Sequence, residues 1–452
     1  MIYSVPSTDF CVKTCISVAK YFIWSWKISR GIPGLKCHFL NILGNVSCLP
    51  LSEKSQNGFS LLVHLQQFLL GLPKIFIHEK VYHLWLFMSA VVILAKPEAI
   101  EVIFSSTVTI EKAWFYNWFQ MFLGTGLINS GGNLWRFRRR LLNSCFRKDI
   151  LKGHLSIMNE KSLILVESLK KETREDFTKV KKPISECTLN IIHDIIFGRH
   201  EDENKSELRG LINSIKWGMR FVVERVMNGF LWPHFIYFST KRGKELKKHE
   251  KIVKDFTRSR IQQRKQKLME RNFSTREANE TPLLDLLLEY HFKSTDFTEN
   301  DLSDELITMV IAGQDSTTVA ISWILYMLGL HEDIQTKVYE ELDLIFDGDC
   351  ERHVTLEELK EMKYLKSVIK ETLRLYPPAP FMARQVHKDV NICQNIAMME
   401  LIVIVSTLLR SYKFESLDQR DKVLPALTIT TSPSKPLRIR IRSRDSTNNL
   451  KN

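Results

Sequence analysis

The run Ala312-Gly313-Gln314-Asp315-Ser316-Thr317-Thr318 gathers an amide, a carboxylate and three hydroxyls within seven residues. These groups donate and accept hydrogen bonds, and none of them gains from a helix interior. Yet Leu302, Leu306, Val310, Ile311, Val319, Ile321, Ile324, Leu325 and Leu328 recur around them at helical spacing, which predicts one long helix over about Asp301 to Leu330. Something must compensate for the polar interruption. On these residues alone, a kinked core helix whose hydroxyls bond back to the preceding turn suffices. A second pair, Glu371 and Arg374, lies three apart on a helical face with Leu365, Val368 and Leu375, which predicts a mutually neutralised, buried or half-buried ion pair. The eight cysteines, at 11, 15, 37, 48, 145, 187, 350 and 393, contain no C-x-x-C pair. That spacing indicates neither a disulfide framework nor a zinc ribbon, and reduced thiols are expected.

The elements around these residues are mostly helical. Leu141, Leu142, Cys145 and Phe146, then Leu189, Ile192, Ile195 and Ile196, recur at three and four. Thr298 three residues before Asp301 predicts a capping box that starts the long helix. Leu84 to Ala95 reads as strands of a buried sheet ended by the helix-starting Pro97. Near the C-terminus, Ala426 to Thr430 and Leu437 to Ile441 alternate across a Ser-Pro turn and predict a hairpin. Glu270 to Pro282 is polar and turn-rich, hence an exposed loop. Cys15 to Trp26 falls short of the roughly 20 apolar residues a spanning helix needs and reads as a membrane-surface segment or a frayed terminus. The net charge is +13, but Lys241 to Arg276 alone carries fourteen Lys and Arg against four acids. Lys241 to Lys267 reads as a basic helix pair or one long helix, such surface helices suit anionic lipid, and with no nucleic-acid module beside the charge nucleic acid is not an expected partner.

Further segments extend the pattern. Glu371-Thr372-Leu373-Arg374 is followed by Leu375-Tyr376-Pro377-Pro378, and Trp135-Arg136-Phe137-Arg138-Arg139 forms a W-x-x-x-R. Pro33-Gly34 precedes Leu43-Gly44-Asn45, and Ala397 to Leu401 opens a further helix. In this order the segments resemble the cytochrome P-450 superfamily, specifically the family-4 fatty-acid hydroxylase group of insects and vertebrates, from about Ile32 to Ile441. The resemblance implies a mainly α fold with small β-sheets, after a membrane-proximal segment over 1–31. It also implies a haem held by a cysteine thiolate, used to insert oxygen from dioxygen into a C–H bond of a fatty acid or other lipophilic substrate. Electrons would come from an NADPH-dependent flavoprotein reductase at the cytosolic face of the endoplasmic reticulum membrane. By the same resemblance, Asp315 and Ser316 are the acid and alcohol that relay protons, and Gly313 permits close approach to the backbone. Trp135 and Arg139 would donate to a haem propionate. Ala312 stands where many family-4 members have Glu, so the covalent haem ester some of them form is not available. Arg136, Arg138, Arg139, Arg140 and Arg147 would suit an acidic reductase surface.

One part of the pattern is missing. The family's haem loop reads F-x-x-G-x-R-x-C-x-G, and around Cys393 the four flanking positions are Val386, Asp389, Asn391 and Asn395. No metal ligand is therefore assigned, and Cys393 is a poor substitute. Arg374 to Ala397 spans 23 residues, where the family inserts strands, a meander and the cysteine loop, so the chain lacks on the order of sixty residues. Phe381 to Arg384 and Val386 to Val390 match the flank before the gap, and Ala397 to Leu401 the flank after it, which fits one internal excision between about 384 and 397. The family's Glu371–Arg374 pair is completed by an Arg from the missing meander, so a marginal chain with an exposed apolar cleft is expected. Two functional readings follow: a monooxygenase by descent whose catalytic competence is lost, and a non-catalytic isoform that occupies membrane or reductase sites.

Overall fold

The computed structural model describes residues 23, 26–27, 30–36, 41, 43–48, 61–79, 81–87, 89–104, 110–145, 148–199, 205–270, 281–385, 398–427 and 430–443. Cys393, Arg147, nearly all of the 1–31 segment, the 271–280 part of the polar loop and the whole of 386–397 lie outside the described residues. The chain forms two units by internal contacts: 1–109 with 225–232 and 386–393, and 110–224 with 233–385 and 394–452.

In the first unit, helix α1 (Leu61–Ile75) is followed by the antiparallel hairpin β1 (Val81–Leu86) and β2 (Ser89–Leu94), with Leu84 opposite Val91. Pro97 then opens α2 (Pro97–Phe104), as its fixed φ and missing N–H favour at a first helical position. The small core joins Leu72, Tyr82 and Leu84, with Phe76 stacked on Tyr82 at 4.8 Å. The Pro33 carbonyl accepts from His83 N–H at 2.8 Å, which ties the Pro33-Gly34 segment to β1.

The second unit is a helical body. Its helices are α3 (Gly132–Ser144), α4 (Lys148–Leu169), α5 (Lys181–Phe197), α6 (Lys205–Val226), α7 (Lys241–Glu270), α8 (Leu283–Lys293) and α9 (Glu299–Leu330). They continue with α10 (Glu332–Phe346), α11 (Lys363–Leu375) and α12 (Met398–Ser411). Of the helix pair or long helix expected over Lys241 to Lys267, the structure has the single helix, 30 residues long. α9 starts at the expected capping box: Thr298 Oγ1 accepts from Asp301 N–H at 3.2 Å, and Asp301 Oδ2 accepts from Thr298 N–H at 2.8 Å. From Val319 to Leu328 α9 is buried on every side, and Trp323 donates to the Thr431 carbonyl at 2.7 Å while stacking on Tyr376 at 4.0 Å. A helix buried all round must be largely apolar, and this half of α9 is, with the Ser322 hydroxyl bonded back to the Thr318 carbonyl.

The C-terminal strands pair differently from the expected hairpin. β5 (Pro425–Leu427) pairs with β6 (Thr431–Pro433), whereas β7 (Arg438–Ser443) lies between β3 (Thr178–Lys179) and β4 (Tyr412–Ser416). The alternation of β7 explains the choice. Ile439 and Ile441 face inward beside Tyr412 and Phe414, all nearly fully buried, while Arg438, Arg440 and Arg442 face out. Pairing with β4 buries that Ile face in the main core, a gain a short hairpin with Ala426 and Leu427 cannot match.

Candidate functional site

The polar middle of α9 divides between two faces. Gln314 donates to Ser185 Oγ at 2.8 Å, and the Thr318 hydroxyl meets that of Thr188 at 2.7 Å, so these two side chains join α9 to α5. Buried polar groups require partners, and here the neighbouring helix supplies them. Hydroxyls also bond back as the simple core-helix account expects: Ser316 to the Ala312 carbonyl, Thr318 to that of Gln314 at 2.8 Å, and Ser322 to that of Thr318 at 2.7 Å. Gly313 lies on the α5 side. A Cβ there would sit 2.5 Å from Ile192 Cδ1, so the glycine admits a close helix–helix contact. Ala312 is exposed, with Ser316 one turn away and partly so. Asp315 accepts from Thr430 Oγ1 at 2.8 Å and lies 3.4 Å from Lys216 Nζ. Lys181 stands in the same field. Burial lowers its pKa, with the Asp315 charge opposing and Lys216 adding to the shift.

A second group forms at the start of α3. Gly132 has φ +50, a left-handed conformation that glycine adopts without strain, and a Cβ there would meet the Glu111 carboxylate at 2.7 Å. Beside Glu111, Lys112 and Arg384 form an antiparallel bridge, and Gln385 N–H donates to the Glu111 carbonyl at 3.0 Å. Burial, then the Arg384 charge, pushes Lys112 down to about 7, with Glu111 opposing. Burial also lowers Arg384. Two half-buried cations side by side are costly unless an anion shares the site. Trp135, whose backbone N–H donates to the Gly131 carbonyl at 3.0 Å, is half-buried in the first turn of α3, and Arg139 is exposed one turn further on. The sequence reading missed Lys112 and Arg384. They lie far apart in the chain and in no periodic pattern, so no local signal brings them together.

Two expectations are corrected. Arg138 does not belong to the exposed basic face of α3: it is 1% exposed and bonds Glu305 at 2.9 Å and Asp301 at 2.7 Å. It shares the inward stripe of Leu142 and Cys145, four and seven residues on, both buried. The Glu371–Arg374 pair is not buried either. It is bidentate, at 2.7 and 2.8 Å, but 57% and 67% exposed, because the helical face that carries it has no element over it among the described residues.

The donor set suits one side of a haem and not the other. Lys112, Arg384, the Trp135 indole and Arg139 are cations and N–H groups fit for carboxylates. No described thiol is set as an iron ligand: Cys145 lies 3.9 Å from the Leu141 carbonyl, Cys187 3.4 Å from that of Lys161 and Cys350 3.1 Å from that of Arg410, while Cys48 is exposed in the first unit. Among the described residues there is no cluster of three or more His, Cys, Asp or Glu able to hold a metal ion, and no helix long and apolar enough to cross a membrane.

The sequence model of the cytochrome P450 family matches residues 56–394. Cytochrome P450 4V2 of Mus musculus is 33% identical over 326 residues, 70% of this chain and 62% of the relative, so the chain spans less than two thirds of that protein's length. Cytochrome P450 4c21 of Blattella germanica is 29% identical over 422 residues, 78% of this chain and 83% of the relative. Cytochrome P450 4c3 of Drosophila melanogaster is 27% identical over 429 residues, 78% and 80% of the two chains. The chain belongs to the cytochrome P450 family and is similar to its family-4 members. Its helical body with small antiparallel sheets is the fold of that family.

Proposed function

We propose that this chain descends from a haem-thiolate monooxygenase of fatty acids or other lipophilic substrates and is itself catalytically incompetent, because the segment that carries the cysteine ligand is missing between about 384 and 397. The observation that carries this reading is the sequence around Cys393, where none of the four flanking motif positions is filled. Relative lengths support it. The 4c21 alignment runs over 422 residues, while 78% of 452 residues is about 353, so some seventy aligned positions have no counterpart here. The exposure of Phe381 and Met382, 45% and 59%, supports it too, since apolar side chains directly before the gap lie uncovered.

The parent chemistry assigns roles to the residues that remain. A cysteine-ligated haem activates dioxygen for insertion into a C–H bond. Around it, Asp315 and Ser316 would hold and pass protons from Thr430 and Lys216 toward the open Ala312 face. Lys112, Arg384, Trp135 and Arg139 would hold the carboxylates of the group, and Glu371 with Arg374 would anchor the segment now missing. In this reading 1–31 is a membrane-proximal segment and the rest one P450-like domain, in the endoplasmic reticulum membrane with a flavoprotein reductase as partner. The test is a graft: the 4c21 segment that spans the gap is inserted between Arg384 and Ala397. The graft should bind haem and hydroxylate a fatty acid with reductase and NADPH, whereas the parent chain should do neither. Turnover by the ungrafted chain contradicts the proposal.

A second reading, a non-catalytic isoform that occupies reductase sites at the membrane, draws on the exposed Arg136, Arg139 and Arg140 of α3. Co-precipitation with the reductase that is lost in R136E/R140E would favour it. Arg138, buried under that face, is no part of such a surface.

A further inference from the structure

Two carboxylates of the first turns of α9, Asp301 and Glu305, bond one guanidinium, and a third, Asp304, lies within its field, held by Thr125. Arg138 of α3 donates to Glu305 Oε1 at 2.9 Å, to Asp301 Oδ1 at 2.7 Å and to Thr125 Oγ1 at 3.0 Å. The turn over 124–127 closes the group from its other side: Thr125 N–H donates to Asp304 Oδ2 at 2.7 Å and Leu127 N–H to Glu305 Oε2 at 3.2 Å. Gly124, with φ +53, presses so closely on the Asp304 carboxylate that a Cβ there would overlap it. Arg138 and Glu305 have side chains 1% and 0% exposed. The charges do not balance, since one cation faces three acids. The helical turn before 124, Gln120–Leu123, contributes no charge. On α7, which packs against α9 through Thr257 and Ser303, Arg264 is paired with Asp285 and Lys265 with Glu299.

We infer that Arg138 is a positioning residue that clasps α3, and with it Trp135 and Arg139, to α9, and that the proton on Glu305 sets the strength of the clasp. With Glu305 neutral, Arg138 is balanced by Asp301. With Glu305 ionised, a second negative charge is held in a buried place beside Asp304, and the clasp opens more often. The titration behaviour agrees. Burial, against the pull of Arg138 and of the Leu127 N–H, pushes Glu305 up to about 7, and burial raises Asp304 as well. Asp301 stays below the usual carboxylate range despite its burial, through its bonds to Thr298 and the charge of Arg138. Glu305 is therefore the member that changes charge near neutral pH. The inference concerns the apoprotein and does not rest on the proposed chemistry.

The test is amide hydrogen exchange of the 132–144 helix in the purified full chain at pH 5.5 and 7.5, corrected for the intrinsic pH dependence of exchange. Opening of α3 should become more frequent at the higher pH by on the order of tenfold. E305Q, which keeps a carbonyl acceptor for Arg138 and cannot ionise, should give the same opening at both pH values, below that of the wild type at 5.5 and further below it at 7.5. R138K, with one ammonium in place of the fork, should open more at both. Wild-type opening that is independent of pH, or a pH dependence that survives in E305Q, would overturn the inference.

Discussion

Two arginine–carboxylate pairs in this chain have the same chemistry and opposite surroundings. Arg138 and Glu305 are almost wholly buried at 2.9 Å, while Arg374 and Glu371 make a bidentate pair at 2.7 and 2.8 Å in open solvent. Geometry alone would rank the second pair higher, since a bidentate fork is the better hydrogen-bonding arrangement. Burial reverses the order. Removing one partner of a buried pair strands a charge in a low-dielectric interior, whereas water and salt replace most of what an exposed partner provides. The clasp therefore holds the fold, and the exposed pair adds little to it.

The largest expected effect is R138A, which should lower unfolding stability by about 3–5 kcal/mol in urea titration because Glu305 and Asp301 lose their cation. A loss no greater than that of a surface arginine would remove the distinction between the two pairs. Next comes pH. Glu305 binds its proton more tightly in the fold than in the unfolded chain, so its contribution is full below about pH 4.5 and is lost as pH rises through about 7. The difference in stability between wild type and E305Q should change over that window by up to about 3 kcal/mol, and the lowered Asp301 should affect both proteins alike at more acid pH. Between the extremes lies Gly313. G313A should cost about 1–3 kcal/mol by pressing on Ile192, and I192V, which removes the methyl it meets, should recover part of the loss. The smallest effect is E371Q, whose melting temperature should match the wild type within error.

Local features were legible in the sequence, and tertiary ones were so only where a periodic stripe exposed them. The capping box at Thr298 and Asp301 and the helix start at Pro97 depend on near neighbours and formed as their patterns predict. The strands expected within 84–95 formed too, but β2 is half-exposed rather than buried, with Val92 39% exposed. Arg138 was counted with the surface arginines of α3, although its spacing from Leu142 and Cys145 already marked the inward face. The partner of β7 was not readable. Ile439 and Ile441 announce a buried face but not that Phe414 of β4 lies beside it. The meeting of Lys112 with Arg384 left no local trace. Of the candidate site, the structure sets Ala312 and Ser316 on the open side of α9, Asp315 beside Thr430 and Lys216, and Gly313 against α5. The family order of motifs pointed to these four, but it could not tell which of them faces a neighbouring helix.

The central claim is that a P450-family body here lacks its iron ligand, and the most direct measurement is the reduced, carbon-monoxide difference spectrum of the purified chain after reconstitution with haemin. The predicted result is no thiolate-type Soret band. A thiolate-type band abolished by C393S would contradict the claim and make this chain an enzyme with a recruited cysteine.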